Sequence, residues 1–346
     1  MAKGQIAVAL SGGLDSSVAA LLLKEAGYEV MGIHMRLRDS SGSQRLEYQV
    51  EQLCHVLGIP FHVVDLQKEF EHYVINYFCQ EYKRGRTPNP CVACNQYIKF
   101  GFLLDRILAL GADHLATGHY ARIEKLNGGY HLLRTKDTSK DQSYFLYTLN
   151  QRKLSYLLFP LGAYSKVEVR RIAKQGGLPT VIKSSQDLCF ISQKNYHDFF
   201  SQRFSSVPGE VVDTQGTILG HHRGIAFYTI GQRHGLGLAS NAPLYVTRME
   251  PENNRVVLGS EEELYSGKVT AKNLNWVAGE LSSEPIAVTA KIRYKSKEAE
   301  ATLFPRMDSA DTCFSQLQWA ATPGQAIVFY KGEEVLGGGI IEKAEC

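Results

Sequence analysis

The apolar run Ile6-Ala7-Val8-Ala9-Leu10 breaks directly into Ser11-Gly12-Gly13-Leu14-Asp15-Ser16-Ser17, and this junction constrains the chain more than any other. A short apolar run closed by glycines reads as a buried parallel strand. Ser16 to Ala26 then reads as a helix that Gly27 stops. Two glycines let the backbone curl until its N–H groups face one concavity, to which the helix N-terminus adds its positive end. The hydroxyls of Ser11, Ser16 and Ser17 can donate to phosphate oxygens there. Asp15 is the odd member, because a carboxylate repels a polyphosphate unless Mg²⁺ lies between them. The plainer alternative is a tight strand-to-helix turn capped by Asp15 or Ser16. No Gly-Lys-Ser/Thr follows, so this is not a Walker loop.

The alternation continues. Tyr28–Met35, Phe61–Val64 and His114–Thr117 read as strands, and Leu46–Leu57, Gln67–Lys83 and Ile98–Leu110 as helices. The expected fold class is α/β, a parallel sheet with helices on both faces. Ligands on such sheets sit beyond the carboxyl ends of the strands, so the loops after Leu10, Met35 and Thr117 should converge. Residues 121–134 read as a hairpin around Asn127-Gly128-Gly129, and residues 151–203 as mainly helical. From Pro208 the pattern turns to short alternating runs: Glu210–Val212, Ile218–Leu219, Ala226–Ile230, Tyr245–Met249 and Val256–Leu258. Lys268–Leu274, Ala287–Tyr294, Ala326–Tyr330 and Glu334–Ile341 repeat that style. Two small β-rich modules, the last a β-barrel, are therefore expected, with domains at 1–205, 206–266 and 267–346.

At 346 residues, two or three domains are the natural expectation. The 38 basic and 35 acidic side chains leave a net charge of +3, which neither demands nor excludes a nucleic acid. No apolar stretch is long enough for a membrane helix and the N-terminus does not read as a signal peptide, so a cytoplasmic protein is expected. Its seven cysteines are then packing, metal or catalytic residues before they are structural disulfides. Cys54, Cys79, Cys313 and Cys346 stand in ordinary contexts. Pro88-Asn89-Pro90-Cys91-Val92-Ala93-Cys94-Asn95 instead sets two thiols three residues apart before a helix, the spacing of half a metal site or a redox pair. A helix N-terminus lowers a thiol's pKa and favours the thiolate. With no second Cys-x-x-Cys and no well-placed His pair, a zinc ribbon is disfavoured. Cys189, in Ser184-Ser185-Gln186-Asp187-Leu188-Cys189-Phe190-Ile191, reads alone as a buried structural cysteine.

The Ser11–Ser17 loop resembles that of the PP-loop ATP pyrophosphatases, which cleave ATP to AMP and pyrophosphate. Further motifs follow in one order: Gly85-Arg86-Thr87-Pro88-Asn89-Pro90 with Cys94-Asn95, Ala116-Thr117-Gly118-His119-Tyr120, Lys140-Asp141-Gln142-Ser143-Tyr144-Phe145 and Cys189-Phe190-Ile191. Gly231–Gly237, Arg293-Tyr294, Thr322-Pro323-Gly324-Gln325 and Leu336–Ile341 complete it. The series is similar to the tRNA-specific 2-thiouridylase family (MnmA in bacteria, TrmU in mitochondria) over nearly the whole chain. The resemblance implies ATP bound by Ala9, Leu10, Ser11, Gly12, Gly13, Leu14, Asp15, Ser16, Met35 and Gly118, with Mg²⁺ held through Asp15. It implies that Cys189 carries a persulfide and that Cys94 attacks it, leaving a Cys94–Cys189 disulfide. Asn89, Pro90 and Cys91 would border the target base, the wobble uridine of tRNAs for Lys, Glu and Gln. Lys140, Asp141, Gln142, His119, Arg293, Tyr294 and Gln325 would meet tRNA. A cysteine desulfurase or a sulfur carrier protein is implied as sulfur donor.

This chain has Cys91 where better-known members of the family carry Asp, and its Arg36–Gly42 segment is poorer in acidic residues. Cys91, Cys94 and Cys189 together could hold a [4Fe-4S] cluster that delivers sulfur; the competing reading makes Cys91 a bystander. Two other functions are open to this sequence. One is a PP-loop amidotransferase or ligase for a small metabolite, which needs no thiols. The other is a non-catalytic RNA-binding or metal-sensing protein, which needs no intact Asp15.

Overall fold

The structure, a computed structural model, describes residues 3–39, 41–178, 188–191, 196–204, 207–238, 242–279 and 284–345. The Ser184–Asp187 stretch before Cys189 and the expected boundary at 205/206 lie outside the described residues. The chain begins β1 (Gln5–Ala9), α1 (Leu14–Glu25), β2 (Glu29–Arg36), α2 (Ser41–Leu57) and β3 (Phe61–Asp65). Gln67–Phe70, a π-helical stretch Glu71–Asn76 and Tyr77–Lys83 run on as helix α3. Pro90–Ala93, a second π-helical stretch Cys94–Leu103 and Leu104–Ala109 likewise form α4. Then come β4 (His114–Ala116), β5 (Ala121–Leu126), β6 (Gly129–Arg134), α5 (Gln151–Leu154), β7 (Leu157–Leu158), α6 (Lys166–Gln175) and α7 (Tyr196–Arg203).

The first sheet has the order β3-β2-β1-β4-β7 with every neighbour parallel. Its central strand explains its own composition. Ile6, Val8 and Leu10 pack with α1 and α2 on one face, whereas Ala7 and Ala9 pack with α3 and α4 on the other. A strand covered on both faces has no use for polar alternation. The region expected to be mainly helical, 151–203, contributes β7 as the fifth strand; two leucines are too short a run to signal a strand.

A four-stranded sheet follows, in the order β10-β11-β8-β9, from β8 (Gly209–Asp213), β9 (Ile218–His222), β10 (Tyr245–Glu250) and β11 (Arg255–Gly259). The strand expected at Ala226–Ile230 is not formed. Gly224, at φ +143°, bends the chain into a 3₁₀ turn at Ile225–Phe227, and the aromatic and apolar side chains fill the core of this small sheet instead. Six antiparallel strands then close a barrel: β12 (Tyr265–Trp276), β13 (Ile286–Lys291), β14 (Ala299–Pro305), β15 (Ser309–Trp319), β16 (Ala326–Lys331) and β17 (Glu334–Glu345), with β12 pairing β17. β14 and β15 were not anticipated, because polar residues interrupt their alternation.

The barrel grips the first region at several places, and two of them bear on the site. The β5–β6 hairpin turns through Asn127 and Gly128, both at positive φ, and its outer strand pairs with β17 at Leu133–Glu334. The link between α3 and α4 is held by Thr87 N–H donating to the Pro323 carbonyl at 2.8 Å and by the Gln325 amide donating to the Thr87 carbonyl at 2.7 Å. Arg86 bridges Glu81 and Glu342.

Gly162, between β7 and α6, carries the helix that reaches the site. A Cβ there would stand 2.1 Å from the Ala121 carbonyl oxygen. Its own carbonyl accepts from Thr135 Oγ1 at 2.9 Å and Lys136 N at 3.0 Å, so the segment has no freedom to retreat. Gly162→Ala is expected to destabilise the protein by about 1–3 kcal/mol, the usual range for overpacking. A chemical-denaturation midpoint equal to that of the parent would refute this close approach.

Candidate functional site

The loop after β1 is closed by its own serines. Ser16 and Ser17 hydroxyls donate to the Gly13 carbonyl at 2.9 and 3.0 Å, and Ser11 Oγ lies 3.3 Å from Ser16 Oγ. Gly12, at φ +72°, takes a backbone conformation that other residues rarely adopt, so glycine is required there. Gly13 is the helix N-cap without a side-chain cap, which leaves the helix start open to an acceptor from outside. Ala9, Leu10 and Leu14 frame this turn from the strand and the first helical residue.

Asp15 has two partners across the fold. Lys166 Nζ contacts both carboxylate oxygens at 2.5 and 2.7 Å, and the Tyr120 hydroxyl donates at 2.8 Å. Lys166 is the first residue of α6, fixed there by a Ser165–Glu168 capping box and by its own N–H donating to Asp137. Burial, followed by the Asp15 charge, raises the Tyr120 phenol, which keeps it a proton donor. The carboxylate expected to hold Mg²⁺ is thus already neutralised. Among the described residues no group of three or more His, Cys, Asp or Glu side chains could hold a metal ion. Asp15 fits Mg²⁺ only as one ligand beside phosphate oxygens and water, with Lys166 released from it.

The expected convergence of loops is observed where β4 ends. A Cβ on Gly118 would meet Ser16 N at 2.7 Å and the Asp15 carbonyl carbon at 2.8 Å, so this glycine lets the backbone lie directly on the start of α1. Met35, half-buried on β2, packs at the edge of the core. Beside it, Arg36 is paired with Glu47, and Arg38 donates to the Phe190 carbonyl at 3.0 Å. Arg38 therefore ties the end of the second strand to the Cys189 segment.

Two of the thiols lie at the start of α4. The Asn89 side chain caps this helix by accepting from the Cys91 and Val92 N–H groups at 3.1 and 3.4 Å, and Pro90 takes its first position. Cys94 is buried, 8% exposed, while Cys91 and Cys189 are exposed. Cys189 is set by its neighbour Phe190, whose ring packs edge-on against Phe70 and Phe78 at 5.9 and 5.4 Å. The expectation that a helix N-terminus lowers these pKa values is overturned. Burial pushes the Cys94 thiol up to about 12, helped by Cys189 and Cys91 and opposed by Lys99. Cys91 and Cys189 are raised as well, burial again leading, although both residues are exposed. Desolvation of a thiolate exceeds the partial charge of one helix end. All three are free thiols.

The residues expected to meet RNA divide by exposure. Lys140 is exposed on a 3₁₀ turn. Asp141 is buried and accepts from Thr135 N, Ser143 N and Ser143 Oγ, and Gln142 accepts from Tyr120 N, so both hold the loop together. His119 is buried between Phe100 and Phe159, with Thr117 at 2.7 Å and Lys99 at 3.5 Å; burial keeps it neutral. Arg293 lies 4.9 Å over the Trp319 ring, Tyr294 packs 4.4 Å from Phe145, and Gln325 is spent on Thr87. Lys166, Lys99 and Arg38 escaped sequence reasoning. Only Lys166 had a signal, the Ser165-Lys166-Val167-Glu168 capping sequence.

Three family models cover the chain. One described as tRNA methyl transferase HUP domain matches residues 4–193, a tRNA methyl transferase PRC-barrel domain matches 197–260, and an aminomethyltransferase beta-barrel domain matches 266–341. The tRNA-specific 2-thiouridylase MnmA of Halothermothrix orenii is 46% identical over 98% of this chain and 99% of its own length. MnmA 1 of Syntrophus aciditrophicus is 46% identical over 99% of this chain and 94% of its own. MnmA of Dehalococcoides mccartyi is 45% identical over 97% and 96%. The chain belongs to the tRNA-specific 2-thiouridylase family.

Two measurements test this geometry. Lys166→Met removes the cation that a triphosphate would attract once Mg²⁺ takes its place on Asp15, and Mg·ATP binding should weaken by about tenfold, roughly 1.4 kcal/mol; unchanged calorimetric affinity would remove Lys166 from the site. Iodoacetamide at neutral pH should label Cys91 well before Cys94. Cys94 labelling should climb about tenfold per pH unit up to pH 9, since its thiolate fraction grows in that proportion below a pKa near 12. A plateau in Cys94 labelling below pH 9 would contradict the burial effect.

Proposed function

We propose that this chain activates the C2 carbonyl of the wobble uridine of tRNA with ATP and replaces its oxygen by sulfur from a Cys189 persulfide. As a member of its family it is a tRNA-uridine 2-sulfurtransferase. The observation that carries the mechanism is that Arg38, just beyond β2, holds the Phe190 carbonyl and so keeps the Cys189 segment at the carboxyl ends of the strands, where the Ser11–Ser17 loop also lies. A charge on Cys189 would be felt at Cys94, 95 residues earlier. An amide-like carbonyl has a poor leaving oxygen, and adenylation turns that oxygen into AMP with release of pyrophosphate. The loop N–H groups and Ser11, Ser16 and Ser17 would bind the phosphates, and Mg²⁺ bound at Asp15 would screen their charge.

The terminal persulfide sulfur would bond to C2 as AMP departs. Cys94 would then attack Cys189 Sγ, the sulfur–sulfur bond would break with its electron pair on the base sulfur, and a Cys94–Cys189 disulfide would remain. A persulfide is more acidic than a thiol, which suits it to a recess that holds thiols protonated. A [4Fe-4S] cluster does not fit as well. Among the described residues the three thiols do not form a metal-holding group. No step is assigned to a cluster.

Lys140 and Arg293 are the side chains best suited to tRNA phosphates, and Asn89, Pro90 and Cys91, at the start of α4, would border the flipped base. The target tRNAs are taken to be those for Lys, Glu and Gln, and the donor a cysteine desulfurase or a sulfur carrier protein. No helix among the described residues is long and apolar enough to cross a membrane, and we place the protein in the cytoplasm. The domain division is 1–205, 206–266 and 267–346.

Asp15→Ala should abolish tRNA-stimulated pyrophosphate release, while Cys189→Ser should retain it and form no 2-thiouridine. A pyrophosphate assay reads the first outcome, and nucleoside mass analysis of tRNA incubated with ATP and a persulfide donor reads the second. Thiolation by Cys189→Ser would overturn the persulfide assignment, and pyrophosphate release without tRNA would favour a small-metabolite ligase.

A further inference from the structure

The proposed reaction, on which this inference rests, ends with Cys94 and Cys189 joined, and Cys189 must be freed before it can carry sulfur again. A third thiol stands beside that pair. Cys91 is exposed, whereas Cys94 is buried behind it on the same helix. Positions three apart on a helix place their Cα atoms about 5 Å apart. That is inside the range a disulfide spans, roughly 4.4–6.8 Å. Cys91 lies in the first turn, where Asn89 caps the backbone, and Cys94 lies where the helix passes into its π-helical stretch, so the pair sits at a change of winding. A charge on Cys91 would be felt at both Cys94 and Cys189.

We propose that Cys91 is a resolving cysteine that moves the disulfide off the sulfur-carrying residue. The Cys91 thiolate attacks Cys94 Sγ, the Cys94–Cys189 bond breaks, and its electron pair leaves on Cys189 sulfur, which takes up a proton. This exchange is redox-neutral and yields a Cys91–Cys94 disulfide with a free Cys189 thiol. A dithiol reductant in solution then supplies two electrons and two protons through exposed Cys91, and is itself oxidised to a disulfide. Cys91 needs no encounter to react, being held in place next to its target. The exchange also separates two tasks: Cys189 can be recharged while reduction proceeds at Cys91.

The test is a single round with the full-length enzyme, first loaded with persulfide, then given ATP and tRNA without reductant, quenched in acid, alkylated and mapped by peptide mass. The expected product is a Cys91–Cys94 link with Cys189 alkylated. Cys91→Ser should end instead as Cys94–Cys189, and its steady-state turnover with excess dithiol should fall at least tenfold relative to its own first round. A parent enzyme that ends as Cys94–Cys189 overturns the proposal while leaving the persulfide reaction intact. Thiolation that leaves all three cysteines as thiols, and that survives Cys94→Ser, overturns both.

Discussion

The ion pair between Asp15 and Lys166 is the hinge of this molecule's design. It joins the first turn of α1 to the first residue of α6, 151 residues later, at the point where both helices leave the sheet. Lys166 reaches that position because Ser165 and Glu168 start its helix there and because Gly162 is locked beneath β5. Tyr120, just after β4, closes the triangle. One carboxylate thus gathers three connections of the sheet. The cationic partner that holds them is the same group that a triphosphate would attract.

A second dependence runs through the barrel. The link that leads into the cysteine helix makes its main hydrogen bonds with Pro323 and Gln325, and the Tyr144 hydroxyl donates to the Ala326 carbonyl. The barrel is therefore part of the frame that sets Asn89, and through it Cys91 and Cys94. Gln325, expected to touch RNA, spends its amide on this bracket, so its importance can be explained by positioning alone.

The first domain was legible because its signals are local. A buried central strand must be apolar, glycine must stand where φ is positive or backbones touch, and helix stops are glycines at Gly27, Gly58 and Gly111. The strand-to-helix turn at Ser11–Ser17 was legible for the same reason. What escaped was decided by distant partners. β7 exists only because it pairs with β4, β14 and β15 because the barrel closes, and the role of Lys166 because a carboxylate faces it. The cysteine pKa values failed for a related reason: the helix-end effect can be read from sequence, but the desolvation that outweighs it belongs to the packed whole.

The hairpin carries a consequence for how the protein is made. Residues of β6 find their outer neighbour on β17, with His131 and Glu334 separated by 203 positions. Contacts of such separation form late, because the loop between them must first be closed. As the chain emerges from the ribosome, the parallel sheet can assemble from its own segments, yet the edge of β6 stays bare until the barrel exists. An unpaired edge is a template for other chains. During synthesis this strand is therefore the stretch most in need of a chaperone's cover.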